Sequence, residues 1–347
     1  MFPKMTITDA SQFLGITPQG VMKKIKNLKL PYYKSQNRIY FGYETSKEIF
    51  NISIKPKILA FQIVKGGTGK SNISLNFAIR ANLYGLKVLC IDLDQQANLT
   101  TLFDIDAQGL TIMHDIILSN GKKKIEDNLV KISEGLHLFP SSLENAALDD
   151  EILVRGLGID RVYKDIFEPL KEYYDLIVID CPPALGRSVG AAAYAADEVI
   201  APVIPDKLCL RGLQLLEDSL KALEEKKYGR KVPFKIVFNK FDNRTNLSKE
   251  ILAGLFNNKN YKDKLNDTYI RVSQDIPNAC ANKMSLFDSL KPSLIKEDLD
   301  LLTRDLLGIN VKKKLSEKVS IISVEKTWIQ YHLCQESALK KIRSIKT

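Results

Sequence analysis

Residues 65–71 read KGGTGKS. Gly66, Gly67 and Gly69 carry no Cβ to obstruct an anion, so successive backbone N–H groups can turn inward onto phosphate oxygens. Lys70 supplies a cation for the β- and γ-phosphates, and the Ser71 hydroxyl supplies a ligand for Mg²⁺. The generic form of this loop opens with glycine, where this chain has Val64. Two acidic stretches belong to the same chemistry. VLCIDLDQQANLT places Asp92 and Asp94 at the end of an apolar run, and DLIVIDCPPALG places Asp180 at the end of another. A carboxylate at the carboxyl end of a buried strand lies on the ligand-binding rim of a parallel sheet. Singly, each could be a helix cap or a turn former. Beside a phosphate loop they become the oxygen ligands and surrounding shell that Mg²⁺ demands.

The elements that must position these groups follow from the periodicity. From 58 to about 310 short apolar runs alternate with helical stretches. ILAFQIV, KVLCIDL, HLFP, DLIVID, EVIAPVI, FKIVFN and TYIRV read as strands. Nearly all are unbroken apolar runs, which suits strands buried on both faces. The expected fold class is therefore α/β, a mostly parallel sheet with helices on both faces. Asp92 and Asp94 would stand beside the loop if their strand neighbours the one that feeds it. In front, residues 1–54 form a separate segment. Thr8 can cap a short helix DASQFLG that Gly15 closes, and Thr17-Pro18 restarts a helix through QGVMKKIKNL. Val21, Ile25 and Leu28 form its buried stripe, leaving Gln19, Lys23 and Lys24 outward. KSQNRIYFG then supplies a turn and strand that could act as a wing. Two short helices around a glycine turn are a helix-turn-helix pattern, although a small basic cap on the main domain reads the same way. Lys-Pro-Lys at 55–57 marks the boundary. Residues 311–347 form a basic C-terminal extension that reads equally as helix or strand.

Charge divides along the same lines. The net +10 of the chain resolves into +7 for 1–57, +6 for 311–347 and −3 between them. Basic ends on a near-neutral middle point to a polyanion, either nucleic acid or an anionic membrane surface. The five cysteines include no CxxC pair, so they read as reduced core residues and not as metal ligands. MFPKMTITDA lacks the apolar core of a signal peptide, and no uncharged run is long enough to span a bilayer. The expected location is the cytoplasm.

KGGTGKS, DLDQQANLT, IDCPPALG, ADEVIAPVIPD, FDNRTNLSKE and YIRVSQDIPNACANKMSLFD follow one another in an order that resembles the ParA family of deviant Walker ATPases. The resemblance covers about 58–295, and with the front segment it extends to the larger plasmid-partition members. It implies ATP and Mg²⁺ as cofactors, and an ATP-binding set of Lys65, Gly66, Gly67, Thr68, Gly69, Lys70, Ser71 and Asn72. It makes Ser71, Asp92 and Asp180 the metal set, and Asp94 the residue that positions the attacking water. Lys65 matches the family's signature lysine, which reaches the ATP of the other subunit in a homodimer formed on ATP. Read from the residue alone, Lys65 could also be solvated or contact its own nucleotide. Gln95 departs from the family, which most often has proline there. The resemblance further implies non-specific DNA binding through Arg244 and Arg271, and a ParB-class centromere-binding partner. It extends to operator DNA read by the front segment through Gln19, Lys23 and Lys24, and to a nucleoid-associated, partner-stimulated ATPase. A MinD-like membrane ATPase using 312–343 is the alternative, and no membrane is expected.

Overall fold

A computed structural model describes residues 1–35 and 38–309, without the side chains of 226 and 227; the expectations for 311–347 lie outside the described residues. Strands β1 (Met5–Thr6), β2 (Tyr33–Ser35) and β3 (Arg38–Phe41) form a small antiparallel sheet in the order β1-β3-β2. Seven more strands follow: β4 (Lys57–Phe61), β5 (Val88–Asp92), β6 (Val130–Ser133), β7 (Leu136–Phe139), β8 (Leu176–Asp180), β9 (Glu198–Val203) and β10 (Phe234–Phe238). They make one sheet ordered β10-β9-β4-β8-β5-β7-β6. All its pairings are parallel except that of β6, an antiparallel edge strand that hydrophobic runs did not reveal.

The apolar runs are strands because each feeds two cores. Ile58 and Ala60 of β4, Leu89 and Ile91 of β5, and Ile177 and Ile179 of β8 pack on one face, with the helices Arg187–Ala195 and Lys207–Leu223. Leu59 and Phe61, Val88 and Cys90, and Leu176 and Val178 pack on the other, with the helices Lys70–Leu83 and Leu294–Leu307. Period-two alternation sends neighbours to opposite faces, so burial on both sides removes any polar residue from the pattern. Cys90, Cys181 and Cys209 are buried in these cores as expected.

Three expectations need correction. Thr268–Val272 forms no named strand; only a bridge joins Arg271 to Phe241. The first helix is Ile7–Leu14, and Thr6, not Thr8, caps it by accepting from Asp9 N at 3.0 Å. Leu28 is 50% exposed because it falls at the end of the helix Pro18–Asn27, past the face that buries Val21 and Ile25. Gly15 closes the first helix with φ +66, and Thr17 caps the second ahead of Pro18, both as read from the sequence.

The front segment is fused to the sheet domain through a shared core. Its third helix, Tyr43–Phe50, was not foreseen. Phe13 and Phe50 close on Tyr84 with centroids 4.6 and 5.5 Å away, at the end of the helix Lys70–Leu83. Arg80 of that helix is 2% exposed and bonds Asp300, with Asp9 3.8 Å away. Twelve of its fourteen residues are buried, which explains why its polar side chains all have to find partners.

Candidate phosphate and metal site

The loop after β4 runs directly into the helix Lys70–Leu83, whose positive end therefore faces the loop. Gly67 and Gly69 adopt φ +76 and +85, the left-handed region that only glycine enters cheaply. A Cβ on Gly69 would come 2.5 Å from Asn239 Nδ2. Asn239 stands just after β10 and donates to Thr68 O at 2.7 Å, while Lys240 Nζ donates to Gly67 O at 3.1 Å. These two braces were missed, although the rule that picked out Asp92 and Asp180, polar residues at a strand's carboxyl end, applies to them equally.

The strand order corrects one premise. β8 lies between β4 and β5, so Asp180 is the acid beside the loop strand and Asp92 lies one strand further out. The registers still bring both acids to the rim, since Asp92 is paired with Asp180 and Asp180 with Phe61. Lys70 is 6% exposed; its Nζ lies 3.2 Å from Asp180 Oδ1 and 3.9 Å from Asp94 Oδ2. Burial pulls the Lys70 pKa down, but Asp180 and Asp94 outweigh it and leave the ammonium above its ordinary range. Burial raises Asp180 in turn, against the pull of Lys70 and of a hydrogen bond with Ser71. Asp92 is pushed up to about 7 by burial and the Asp180 charge, despite hydrogen bonds from Thr100 and the Asp94 amide.

Two carboxylates at the same buried rim repel each other, and one cation does not neutralise both. Asp180 Oδ2 and Thr68 Oγ1 are buried without a hydrogen-bond partner, beside the glycine cradle. Orphaned oxygens beside an anion-seeking loop fit the donor set of a Mg²⁺-nucleotide site. Among the described residues no three acidic, His or Cys side chains form a metal cage by themselves.

The remaining expected residues are placed less directly. Asp94 is buried, accepts from Gln96 N at 3.0 Å, and has its carbonyl fixed by Ser141 Oγ at 2.7 Å. Asn72 Oδ1 accepts from Cys280 Sγ at 3.0 Å, tying the helix start to the helix Asp275–Ala281. Lys65 is ion-paired with Asp206, the cap of the helix Lys207–Leu223. The Lys65 hydrogen bond holds the Asp206 carboxyl below its ordinary range. Arg244 and Arg271 sit on adjoining loops, linked by the bridge between Phe241 and Arg271, and each already holds a carboxylate. Arg244 clasps Asp242 at 2.8 and 2.9 Å, and Arg271 clasps the buried Asp298. Gln19, Lys23 and Lys24 are exposed, but Lys24 Nζ donates to Ile49 O at 2.6 Å.

Comparison with known proteins agrees with this geometry. A family model described as an AAA domain matches residues 56–234. The chromosome-partitioning ATPase Soj of Treponema pallidum is 32% identical over 198 residues, 56% of this chain and 76% of that one. The sporulation initiation inhibitor Soj of Bacillus subtilis is 29% identical, over 62% of this chain and 83% of its own. Among solved structures, a McdA variant from Cyanothece in complex with ATP superposes with a TM-score of 0.65 over 76% of this chain and all of that one. At 19% identity that likeness speaks for the fold alone.

Proposed function

The chain belongs to the AAA-domain family and, within it, to the ParA/Soj-type partitioning ATPases, and from that premise we propose an ATP-gated dimer that grips DNA. ATP and Mg²⁺ are its cofactors. Gly66, Gly67, Thr68, Gly69, Lys70, Ser71 and Asn72 hold the triphosphate, and Ser71, Asp92 and Asp180 the metal and its water shell. When bound, the metal neutralises phosphate charge and fixes the geometry of the leaving group. Lys70 then exchanges the Asp180 and Asp94 carboxylates for phosphate oxygens, a change that leaves Asp94 free to hold and orient a water. Lys65 leaves Asp206 and crosses to the other subunit's nucleotide, an action equivalent to an arginine finger in trans.

The ATP-bound dimer presents the surface around Arg244 and Arg271 to non-specific DNA, and a ParB-class protein stimulates its hydrolysis. The front segment reads operator DNA with Gln19 and Lys23, Lys24 serving more to hold the third helix. The protein works in the cytoplasm on the nucleoid. No helix among the described residues is long and apolar enough to cross a membrane, and the segment on which a membrane-bound alternative would rest lies outside them.

The observation that carries this reading is the buried Lys70 held by two carboxylates at the mouth of a glycine cradle, with Asp180 Oδ2 unpartnered. Co-sedimentation with DNA in ATP, ADP and no nucleotide tests it. Binding should appear with ATP on a hydrolysis-blocked Asp94→Ala variant and vanish with ADP. Equal binding in all three conditions would leave the nucleotide without a role in DNA attachment.

A further inference from the structure

The seam between the front segment and the helix Leu294–Leu307 encloses a cavity of about 470 Å³, a volume usual for small-molecule sites. Lys4, Arg38, Lys291 and Lys296 line it. Among the described residues none of these four has a carboxylate within the 4.0 Å of an ion pair. Three of them are tethered instead to the backbone of one loop. Lys4 Nζ donates to Asp288 O at 2.7 Å, Lys296 Nζ to Ser289 O and Lys291 O at 2.6 Å each, and Arg38 to Leu290 O. Carbonyl oxygens orient a cation without cancelling its charge.

The acids on the same wall do not redress the balance. Asp300 is engaged by Arg80 and Arg304, and Asp9 lies against Arg80. Of the three acids that line the cavity, Glu297 alone is in no ion pair among the described residues, and Asp275 is a further acid acting on Lys296. At the inner end, Ser293 opens the fourteen-residue helix Leu294–Leu307 without making a side-chain cap bond, and its buried Oγ has no partner. The positive end of that helix adds to the field. Lys296 is pushed down to about 8 by burial, with Arg80 and Arg38 adding to the effect and Asp9 and Asp275 opposing it.

We propose that this seam binds a small phosphate ester, its phosphoryl oxygens shared between Lys4 and Arg38 of the front segment and Ser293 and Lys296 of the sheet domain. Ile7, Ile39 and Phe287 line the same cavity and give an apolar wall to the organic remainder. A DNA backbone is the weaker fit, because a duplex presents a convex ridge and this site is recessed between two packed units. The ligand would bridge the front segment to the sheet domain, and the proposal stands independently of how the protein handles chromosomes.

The test uses the full chain with its phosphate loop saturated by ADP and Mg²⁺, titrated calorimetrically with phenyl phosphate. One further site per chain is expected. Arg38→Ala and Lys296→Met should each weaken it at least about tenfold, while ADP affinity stays unchanged and reports an intact fold. Absence of saturable binding overturns the proposal, as does binding that both variants leave within about twofold. A parallel titration with a short DNA duplex separates the sources: duplex binding lost in Arg38→Ala, with no phenyl phosphate binding, assigns these cations to DNA and also overturns it.

Discussion

The two arginines expected to grip DNA should not contribute equally, and the salt dependence of binding can separate them. Arg244 is 80% exposed and pairs with Asp242 at the surface, where solvent screening makes the pair cheap to exchange for a phosphate. Arg271 is only 33% exposed and clasps Asp298, which is 6% exposed. Withdrawing that guanidinium leaves a buried carboxylate with the Arg271 amide as a remaining partner, a loss of about 1–3 kcal/mol. Arg271 is therefore expected to stay with Asp298 and shape the loop, and Arg244 to supply the mobile charge. Each neutralised phosphate contributes about 0.9 to the slope of log Kobs against log salt. Two copies of Arg244 in a dimer then account for about 1.8, whereas four equivalent arginines would account for about 3.6. Fluorescence anisotropy on a labelled non-specific duplex, with ATP and Asp94→Ala to block turnover, measures the slope over a salt series. Arg244→Ala should flatten it by about 1.8. Arg271→Gln should weaken binding with a much smaller change in slope. A flattening of about 1.8 in Arg271→Gln, with dimerisation intact, would refute the division of labour.

Four further outcomes are expected. Lys65→Ala should leave ATP binding to the single chain nearly intact and abolish the ATP-dependent dimer in analytical ultracentrifugation. Asp206→Asn, which keeps an oxygen for the Leu208 amide, should lower the ATP concentration needed for that dimer; a loss equal to that of Lys65→Ala would make Asp206 a structural partner only. Gly69→Ala must hold an alanine in left-handed backbone, costing about 1–2 kcal/mol, and push Asn239 off Thr68 O. ATP affinity by calorimetry should fall about tenfold or more, and unchanged affinity would show that Asn239 moves freely. Lys296, lowered to about 8 in the folded chain against an ordinary 10.5, binds fewer protons folded than unfolded between those values. Its contribution to stability therefore rises with pH across that window. Thermal unfolding of the wild type should gain on Lys296→Met between pH 8 and 10, and parallel curves would contradict the shift.

Local spacing made the candidate phosphate site legible. KGGTGKS needs only residues adjacent in sequence, and an acid closing an apolar run marks the rim without knowledge of the partner strand. Strand order is not local. Nothing in 58–180 says that β8 enters between β4 and β5, so Asp180 could not be placed nearer the loop than Asp92. Pairings across long stretches were equally hidden: Lys65 meets Asp206, and Arg271 meets Asp298, only because the sheet brings them together. Thr268–Val272 has strand composition, yet chain geometry gives it a single bridge. β6 was missed because an edge strand with one solvated face lacks the unbroken apolar run that marked the others.

The fusion of the front segment to the sheet domain has a practical consequence for exchanging parts between relatives. A graft joined at Lys55–Lys57 would strip Phe13 and Phe50 from Tyr84 and unseat Asp9 from Arg80, baring an aromatic face on the very rod that carries the phosphate cradle at its opposite tip. A chimera that keeps its solubility must therefore transplant the matching surface of residues 77–84 and 300–304 along with the head. The head is, in that sense, a keystone and not a cap.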